Sequence, residues 1–201
     1  MKLHLGSGNR YLKGYIHVDI SSHDHIDVKT SVDKLTSIKS DSVDEIYASH
    51  VLEYFDQDEV RAVLKEWRRV LKKNGILRLA VPNLEALISV YQTTKNIEKI
   101  LGPMYGKWKV GKDQYIYHKT IYDSKSLTKL LENLGFSDIN YWDWREVFKN
   151  NPEYDDYSQA YYPHMDKKNG TLISLNIECK KKCNLISLSY THLTLPTMRT
   201  V

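Results

Sequence analysis

Two short features near the start of the chain combine residue types that suit ligand binding. Gly6-Ser7-Gly8 follows an apolar stretch at residues 3–5, and a Gly-x-Gly turn lets backbone N–H groups and bare Cα atoms approach a ligand closely. Asp19 ends a second apolar stretch, where a carboxylate can accept hydrogen bonds from two ribose hydroxyls. Tyr11 stands where the dinucleotide fingerprint has its third glycine, so no phosphate cradle is predicted. The glycine turn alone could be an ordinary tight loop, but together with Asp19 it indicates a ribose-containing ligand.

Two histidines are candidate acid–base residues, His118 and His164. Histidine titrates near neutral pH, so either residue could take a proton from an acceptor hydroxyl as a general base. Each could equally be a packing or surface residue. Asp155, Asp156 and Asp166 are close to His164 in sequence and could orient its ring or bind a metal. We predict that a histidine in one of these segments is catalytic, and we predict no metal site.

Aromatic residues crowd the same two parts of the chain. They are Tyr105, Trp108, Tyr115, Tyr117, Tyr122, Tyr154, Tyr157, Tyr161 and Tyr162. Flat side chains with hydroxyl tips suit sugars or other polar cyclic ligands. The alternative is that they cover a sheet edge or form the interface of a homodimer, where aromatic residues are also enriched.

The elements that must position these residues alternate between strands and helices. Strands are predicted at residues 3–5, 15–20, 26–28, 41–49, 76–81, 139–142 and 171–179. Helices are predicted from residue 56 to a stop at 72–75, over 84–95, and from a cap at Asp123 or Ser124 to Gly135. This alternation predicts an α/β fold with a doubly wound, largely parallel sheet. The last two strands flank a polar loop and predict an antiparallel hairpin at one edge.

Five motifs occur together in a fixed order. They are LHLGSG at residues 3–8, VDI at 18–20, DEIYASHVLE at 44–53, EWRRVLK at 66–72 and NGILRLAVP at 74–82. As an ordered set they resemble the class I S-adenosylmethionine-dependent methyltransferases, in particular the predicted methyltransferases related to the type 11 family. The resemblance covers about residues 2–83.

The resemblance implies a seven-stranded, mostly parallel, Rossmann-like sheet and S-adenosylmethionine as the cofactor. Carried onto this sequence, it predicts that the cofactor contacts Leu5, Gly6, Ser7, Gly8, Asp19, Ile20, Asp33, Leu35, Ser49 and His50. Asp33 could equally be a solvated surface acid, and His50 could be either a structural or a catalytic histidine.

The sequence departs from the family in the first crossover. Only ten residues separate Gly8 from Asp19, where the fold usually places a full helix between its first two strands. Residues 9–14 have room for about one helical turn. We therefore predict a shortened or absent first helix and a more open cofactor pocket.

The function that the resemblance implies is transfer of a methyl group to a small polar acceptor. Residues 118–123 and 162–166 look like a narrower subgroup associated with surface-sugar biosynthesis, which points to a sugar or nucleotide sugar. One alternative is a non-catalytic protein of the same fold that binds S-adenosylmethionine or acts as a scaffold. Another is an NAD-dependent oxidoreductase, which Tyr11 and the missing phosphate-binding turn disfavour.

Composition limits the domain count and the partners. With 201 residues we expect one domain, at residues 1–181, with an insertion or lid at about 102–123 and a non-native or disordered tail at 182–201. The net charge of +4 comes from four cations within residues 180–201, so the domain itself is balanced and no nucleic-acid partner is predicted. No stretch approaches the roughly 18 apolar residues of a membrane span. Cys179 and Cys183 indicate neither a disulfide framework nor a zinc site, and we predict a cytoplasmic protein.

Overall fold

The computed structural model describes residues 1–110 and 114–182. Its strands, in chain order, are β1 (Lys2–Leu5), β2 (Ile16–Asp19), β3 (Val28–Lys29), β4 (Val43–Ser49), β5 (Leu71–Pro82), β6 (Trp108–Lys109), β7 (Tyr115–Ile116), β8 (Phe136–Tyr141), β9 (Tyr161–Tyr162), β10 (Thr171–Leu172) and β11 (Ser174–Lys181). Its α-helices are α1 (Glu59–Val70), α2 (Leu84–Thr94), α3 (Glu98–Tyr105), α4 (Ser124–Asn133) and α5 (Trp144–Val147).

The main sheet has seven strands in the order β3-β2-β1-β4-β5-β11-β8. Strands β1 to β5 pair in parallel, whereas β11 is antiparallel to both β5 and β8. The two faces of the central strands differ. Leu3, Ile46 and Leu77 are neighbours on one face and are fully buried, whereas His4 and Tyr47 are buried on the opposite face. The predicted doubly wound, mostly parallel sheet with an antiparallel edge pair is confirmed.

Helix α1 packs through the apolar stripe that its sequence predicts. Val60, Val63, Leu64 and Trp67 recur at spacings of three and four residues, and all four are buried. The indole N–H of Trp67 donates a 2.8 Å hydrogen bond to the carbonyl oxygen of Val32, so this polar group is satisfied inside the core.

The end of α1 differs from the prediction. The helix stops at Val70, and the chain enters β5 at once instead of continuing to residues 72–75. Asn74 does adopt the left-handed conformation, with φ of 60°, but it does so within an irregular section of β5. Asn-Gly favours a left-handed turn in strands as well as at helix ends. The prediction of a left-handed conformation is therefore confirmed, but the prediction that it ends a helix is wrong.

The first crossover has no helix. Residues 9–15 run from β1 to β2 as turns and irregular chain, which confirms the predicted loss of the first helix. Leu12 anchors this loop because its side chain is buried and its N–H donates a 2.9 Å hydrogen bond to Nε2 of His17.

The insertion predicted to be irregular contains secondary structure. It begins inside helix α3 and continues into the small hairpin of β6 and β7. Asp123 caps α4 with a capping box that includes Ser126, as the cap prediction requires. The backbone N–H of Lys182 donates to the carbonyl oxygen of Gly135, whereas residues 183–201, which carry Cys183 and most of the predicted tail, lie outside the described residues. Within the described ranges, no helix is long and apolar enough to cross a membrane.

Candidate functional site

A cavity of about 610 Å³ opens at the carboxyl ends of β1, β2 and β4. This volume is in the range of small-molecule sites, and the edge is the one where parallel α/β sheets bind ligands. Three groups of residues form its walls: the loops after those strands, the insertion from α3 to β7, and the segment at residues 156–165. The cavity therefore joins the predicted nucleoside-binding turn to both histidine segments.

The glycine turn after β1 requires glycine for its shape. Gly6 has φ of 64°, and a Cβ built there would lie 2.4 Å from Cγ2 of Val51. Gly8 has φ of 53° and faces the indole of Trp108, 3.5 Å from the position of a Cβ. Both residues line the cavity, so the turn presents bare backbone to it.

Asp19 is held in place by the turn that it supports. One carboxylate oxygen accepts a 2.8 Å hydrogen bond from the N–H of Gly8, and the other accepts a 2.7 Å bond from the N–H of Ser21. Asp19 lines the cavity next to the half-exposed Ile20. Each carboxylate oxygen keeps a second lone pair, so the acid can accept further hydrogen bonds from a diol.

Three buried hydroxyls line the cavity without a hydrogen-bond partner among the described residues. They belong to Ser7 in the glycine turn, Ser21 after β2 and Ser49 at the end of β4. Buried polar groups are nearly always paired in folded proteins, so unpaired hydroxyls in a cavity wall indicate a polar ligand. Bare glycine backbone, an anchored carboxylate and three free hydroxyls fit the nucleoside and amino-acid parts of S-adenosylmethionine.

Three of the predicted cofactor contacts do not line the cavity. Leu5 and Leu35 are fully buried in the hydrophobic core. Asp33 accepts a hydrogen bond from the hydroxyl of Ser31, while Ser31 and Val32 reach the cavity in its place. Strand β3 is only two residues long, so the loop after it, not the strand register, decides which side chains face the ligand.

His50 lies at the cavity wall in an uncommon backbone conformation. It has φ of 54°, and its N–H donates a 2.8 Å hydrogen bond to the carbonyl oxygen of Ala80. Its ring lies between Glu53 and Ser174, with Nδ1 3.1 Å from Oε1 of Glu53 and Nε2 3.2 Å from Oγ of Ser174. The ring also packs against Tyr157 at 5.5 Å between centroids.

His118 and His164 both line the cavity, so the structure brings their two segments together. The side chain of His118 is buried, its Nδ1 donates to the carbonyl oxygen of Pro103 at 3.1 Å, and burial lowers its pKa. Gly106 makes room for this ring, because a Cβ there would lie 2.4 Å from Nε2 of His118. His164 is exposed.

The acidic residues near His164 in sequence contact other groups of the described chain. Asp156 accepts hydrogen bonds from Tyr47, Tyr154 and Ser158, and Asp155 pairs with Lys167 at 3.1 Å. Asp166 caps the turn at residues 168–169. In the described part of the chain, no group of three or more such residues is arranged to hold a metal ion.

The aromatic residues separate into lining, core and surface positions. Trp108, Tyr157 and Tyr161 line the cavity, Tyr122 and Tyr154 are buried, and Tyr105, Tyr115 and Tyr117 are exposed. Sequence reasoning missed Tyr54 and Phe55, which also line the cavity, and Glu53 behind them. One sequence feature indicates Glu53: it is an acid among the apolar residues that follow β4. A charge is unusual in such a place unless it is paired.

Comparison with known proteins found a family match for part of the sequence. Residues 9–79 match the family model described as "Methyltransferase domain". No curated protein matches the sequence.

Solved structures of S-adenosylmethionine-dependent methyltransferases share the fold. The one from Thermotoga maritima has a TM-score of 0.57 at 20% identity, covering 90% of this chain and 81% of its own. The one from Methanosarcina mazei has a TM-score of 0.54 at 16% identity, covering 90% and 92%. The 1,6-didemethyltoxoflavin-N1-methyltransferase from Burkholderia thailandensis, solved with bound 1,6-didemethyltoxoflavin and S-adenosylhomocysteine, has a TM-score of 0.50 at 12% identity, covering 90% and 71%. At these identities the likeness concerns the fold.

Proposed function

We propose that this chain is a class I S-adenosylmethionine-dependent methyltransferase whose acceptor is a small polar molecule, a sugar or nucleotide sugar. The observation that carries the proposal is one cavity whose walls combine two kinds of residue. They are the glycine turn with Asp19, and a set of aromatic rings with two histidines.

The glycine turn and the residues beside it would hold the cofactor. Asp19 would accept hydrogen bonds from the ribose hydroxyls, the turn at Gly6 and Gly8 would let the ligand lie against the backbone, and Ser7 and Ser49 would supply free hydroxyls. Bound S-adenosylmethionine supplies an electrophilic methyl group, whose bonding electron pair stays on sulfur when the methyl leaves.

The aromatic residues of the cavity wall would bind and orient the acceptor. Trp108, Tyr157 and Tyr161 offer flat faces and polar tips, which suit a sugar ring better than an apolar chain. Holding an acceptor atom in line with a bound methyl group supplies most of the rate gain in a displacement of this kind. A hydroxyl acceptor also needs a base, and His118 and His164 are the two candidates in the cavity wall.

Calorimetric titration of the full chain with S-adenosylmethionine, S-adenosylhomocysteine and NAD tests the cofactor assignment. We expect the first two to bind and NAD not to bind, and binding of NAD alone would refute it. A screen of nucleotide sugars and free sugars, read out as S-adenosylhomocysteine formed, then tests the acceptor class. Turnover of a non-sugar small molecule, with none for any sugar, would refute the acceptor proposal and leave the methyltransferase standing.

A further inference from the structure

Glu53 is a fully buried carboxylate behind the cavity wall. It lies in the short 3-10 helix Leu52–Tyr54, and its carbonyl oxygen accepts hydrogen bonds from the N–H groups of Lys119 and Thr120. This backbone tether holds the loop after β4 against the segment that carries His118. A buried charge is costly unless it is paired, so the surroundings of this carboxylate call for an explanation.

The same carboxylate oxygen faces two histidines. Oε1 of Glu53 is 3.1 Å from Nδ1 of His50 and 3.8 Å from Nε2 of His118. The first distance is that of an ion pair, but neither carboxylate oxygen accepts an aligned hydrogen bond from any described residue. The other groups facing Glu53 are the hydroxyls of Tyr54 and Tyr122, and burial together with the charge of Glu53 raises the pKa of both tyrosines.

The hydrogen bonds around His50 decide its tautomer. The side-chain NH₂ of Asn176 donates to the carbonyl oxygen of Ser158, so Oδ1 of Asn176 is the atom that accepts from the hydroxyl of Ser174 at 2.8 Å. That hydroxyl has no second hydrogen, so Oγ of Ser174 must accept a hydrogen bond from Nε2–H of His50. In neutral His50, Nδ1 is therefore the bare nitrogen, and it faces Glu53.

His118 has the opposite tautomer for the same kind of reason. The carbonyl oxygen of Pro103 can only accept, so Nδ1 of His118 carries the hydrogen that bridges them. Nε2 of neutral His118 is then bare and also faces Glu53. Two bare ring nitrogens and one carboxylate converge with no donor between them, an arrangement that an added proton stabilises.

We propose that Glu53 is a positioning residue shared by His50 and His118, and that this buried trio takes up the proton released during methyl transfer. The inference rests on the proposed function. Methylation of an O–H or N–H acceptor replaces its bond to hydrogen by a bond to carbon, so one proton leaves. That proton goes to Nε2 of His118, and the carboxylate of Glu53 balances the charge of the imidazolium that forms.

Histidine tautomers in the full chain test this without cofactor or acceptor. Nitrogen-15 spectra of histidine-labelled protein, assigned with His50→Gln and His118→Gln, should show Nε2–H for neutral His50 and Nδ1–H for neutral His118. Any other tautomer for either ring in the wild-type protein overturns the proposal, even if no Glu53 variant folds. Failure of S-adenosylmethionine to bind would refute the proposed function, but it would not change the tautomers that the spectra report.

A pH titration of the same spectra measures the effect of the carboxylate. Glu53→Gln keeps the shape and removes the charge, so His118 should bind its proton about ten-fold to a thousand-fold more weakly, as expected for loss of an opposite charge at this distance. Glu59→Gln is the matched control, because it removes an exposed carboxylate that pairs with Lys119, the neighbour of His118. Equal titration of His118 in Glu53→Gln and wild type would overturn the proposal.

Discussion

Replacement of Asp19 by alanine should weaken both cofactor binding and the fold, by amounts that the structure sets. Its carboxylate accepts hydrogen bonds from the N–H groups of Gly8 and Ser21 and is only 8% exposed. Each such bond to a charged group contributes about 1.5–3 kcal/mol when fully buried. Water from the adjoining cavity can replace part of this, so we expect a stability loss of about 2 kcal/mol. For a chain of this length, that lowers Tm by about 4–8 °C.

Asp19→Ala should also weaken cofactor binding, because the variant lacks the hydrogen bonds from Asp19 to the ligand. Loss of a charge-assisted hydrogen bond to the ribose costs about 1.5–3 kcal/mol, or roughly a ten-fold to hundred-fold rise in Kd for S-adenosylmethionine. Calorimetry well below the lowered Tm separates this loss from unfolding. Asp19→Asn keeps the side-chain shape and one acceptor, so it should recover part of the stability while leaving affinity low.

Asp58→Ala is the matched control, since Asp58 is exposed and its side chain does not cap α1. It should leave Kd for S-adenosylmethionine unchanged. A folded Asp19→Ala protein with the wild-type Kd would remove this carboxylate from the binding site and refute the reasoning.

The other predictions concern the turn, the base, the fold at low pH and the tail. Gly6→Ala should lower the free energy of unfolding in urea by about 1–3 kcal/mol, because the added Cβ meets Val51 and the φ of this residue is positive. An unchanged urea midpoint would contradict the turn geometry. His118→Gln should lower turnover of an acceptor found in the screen about 10²–10⁴-fold while sparing cofactor affinity, and full activity would exclude His118 as the base. Burial lowers the pKa of His4 from 6.5 to about 3. Between these two pH values only the unfolded chain binds a proton at His4. The free energy of unfolding should therefore fall as pH drops below 6.5, by up to about 1.4 kcal/mol per pH unit, and it should fall less steeply in His4→Gln. Truncation after Lys182 should leave Tm unchanged, and a clear drop would show that the tail packs.

The sequence alone determined the features that depend on neighbours along the chain. The Gly6-Ser7-Gly8 turn, the acid at the end of β2 and the apolar stripe of α1 are local patterns, and each lies where its pattern predicts. The order of strands and helices then limited the sheet to a doubly wound arrangement, because parallel strands need crossovers. Counting residues between Gly8 and Asp19 was enough to predict the missing first helix.

Only the tertiary structure decided which distant side chains meet. The direction of Asp33 and Leu35 depends on a loop after a two-residue strand, and no periodic pattern constrains such a loop. Glu53 and His118 are 65 residues apart in sequence. The hydrogen bonds from Lys119 and Thr120 to the carbonyl oxygen of Glu53 bring their segments together, and neither segment has a sequence pattern that predicts them. The tautomers of His50 and His118 depend further on carbonyl and amide groups brought from β11 and α3. Residue types indicate which side chains can bind or release a proton. Which ring nitrogen of a histidine carries the proton depends on its hydrogen-bond partners across the fold, because donors and acceptors pair in space and not along the chain.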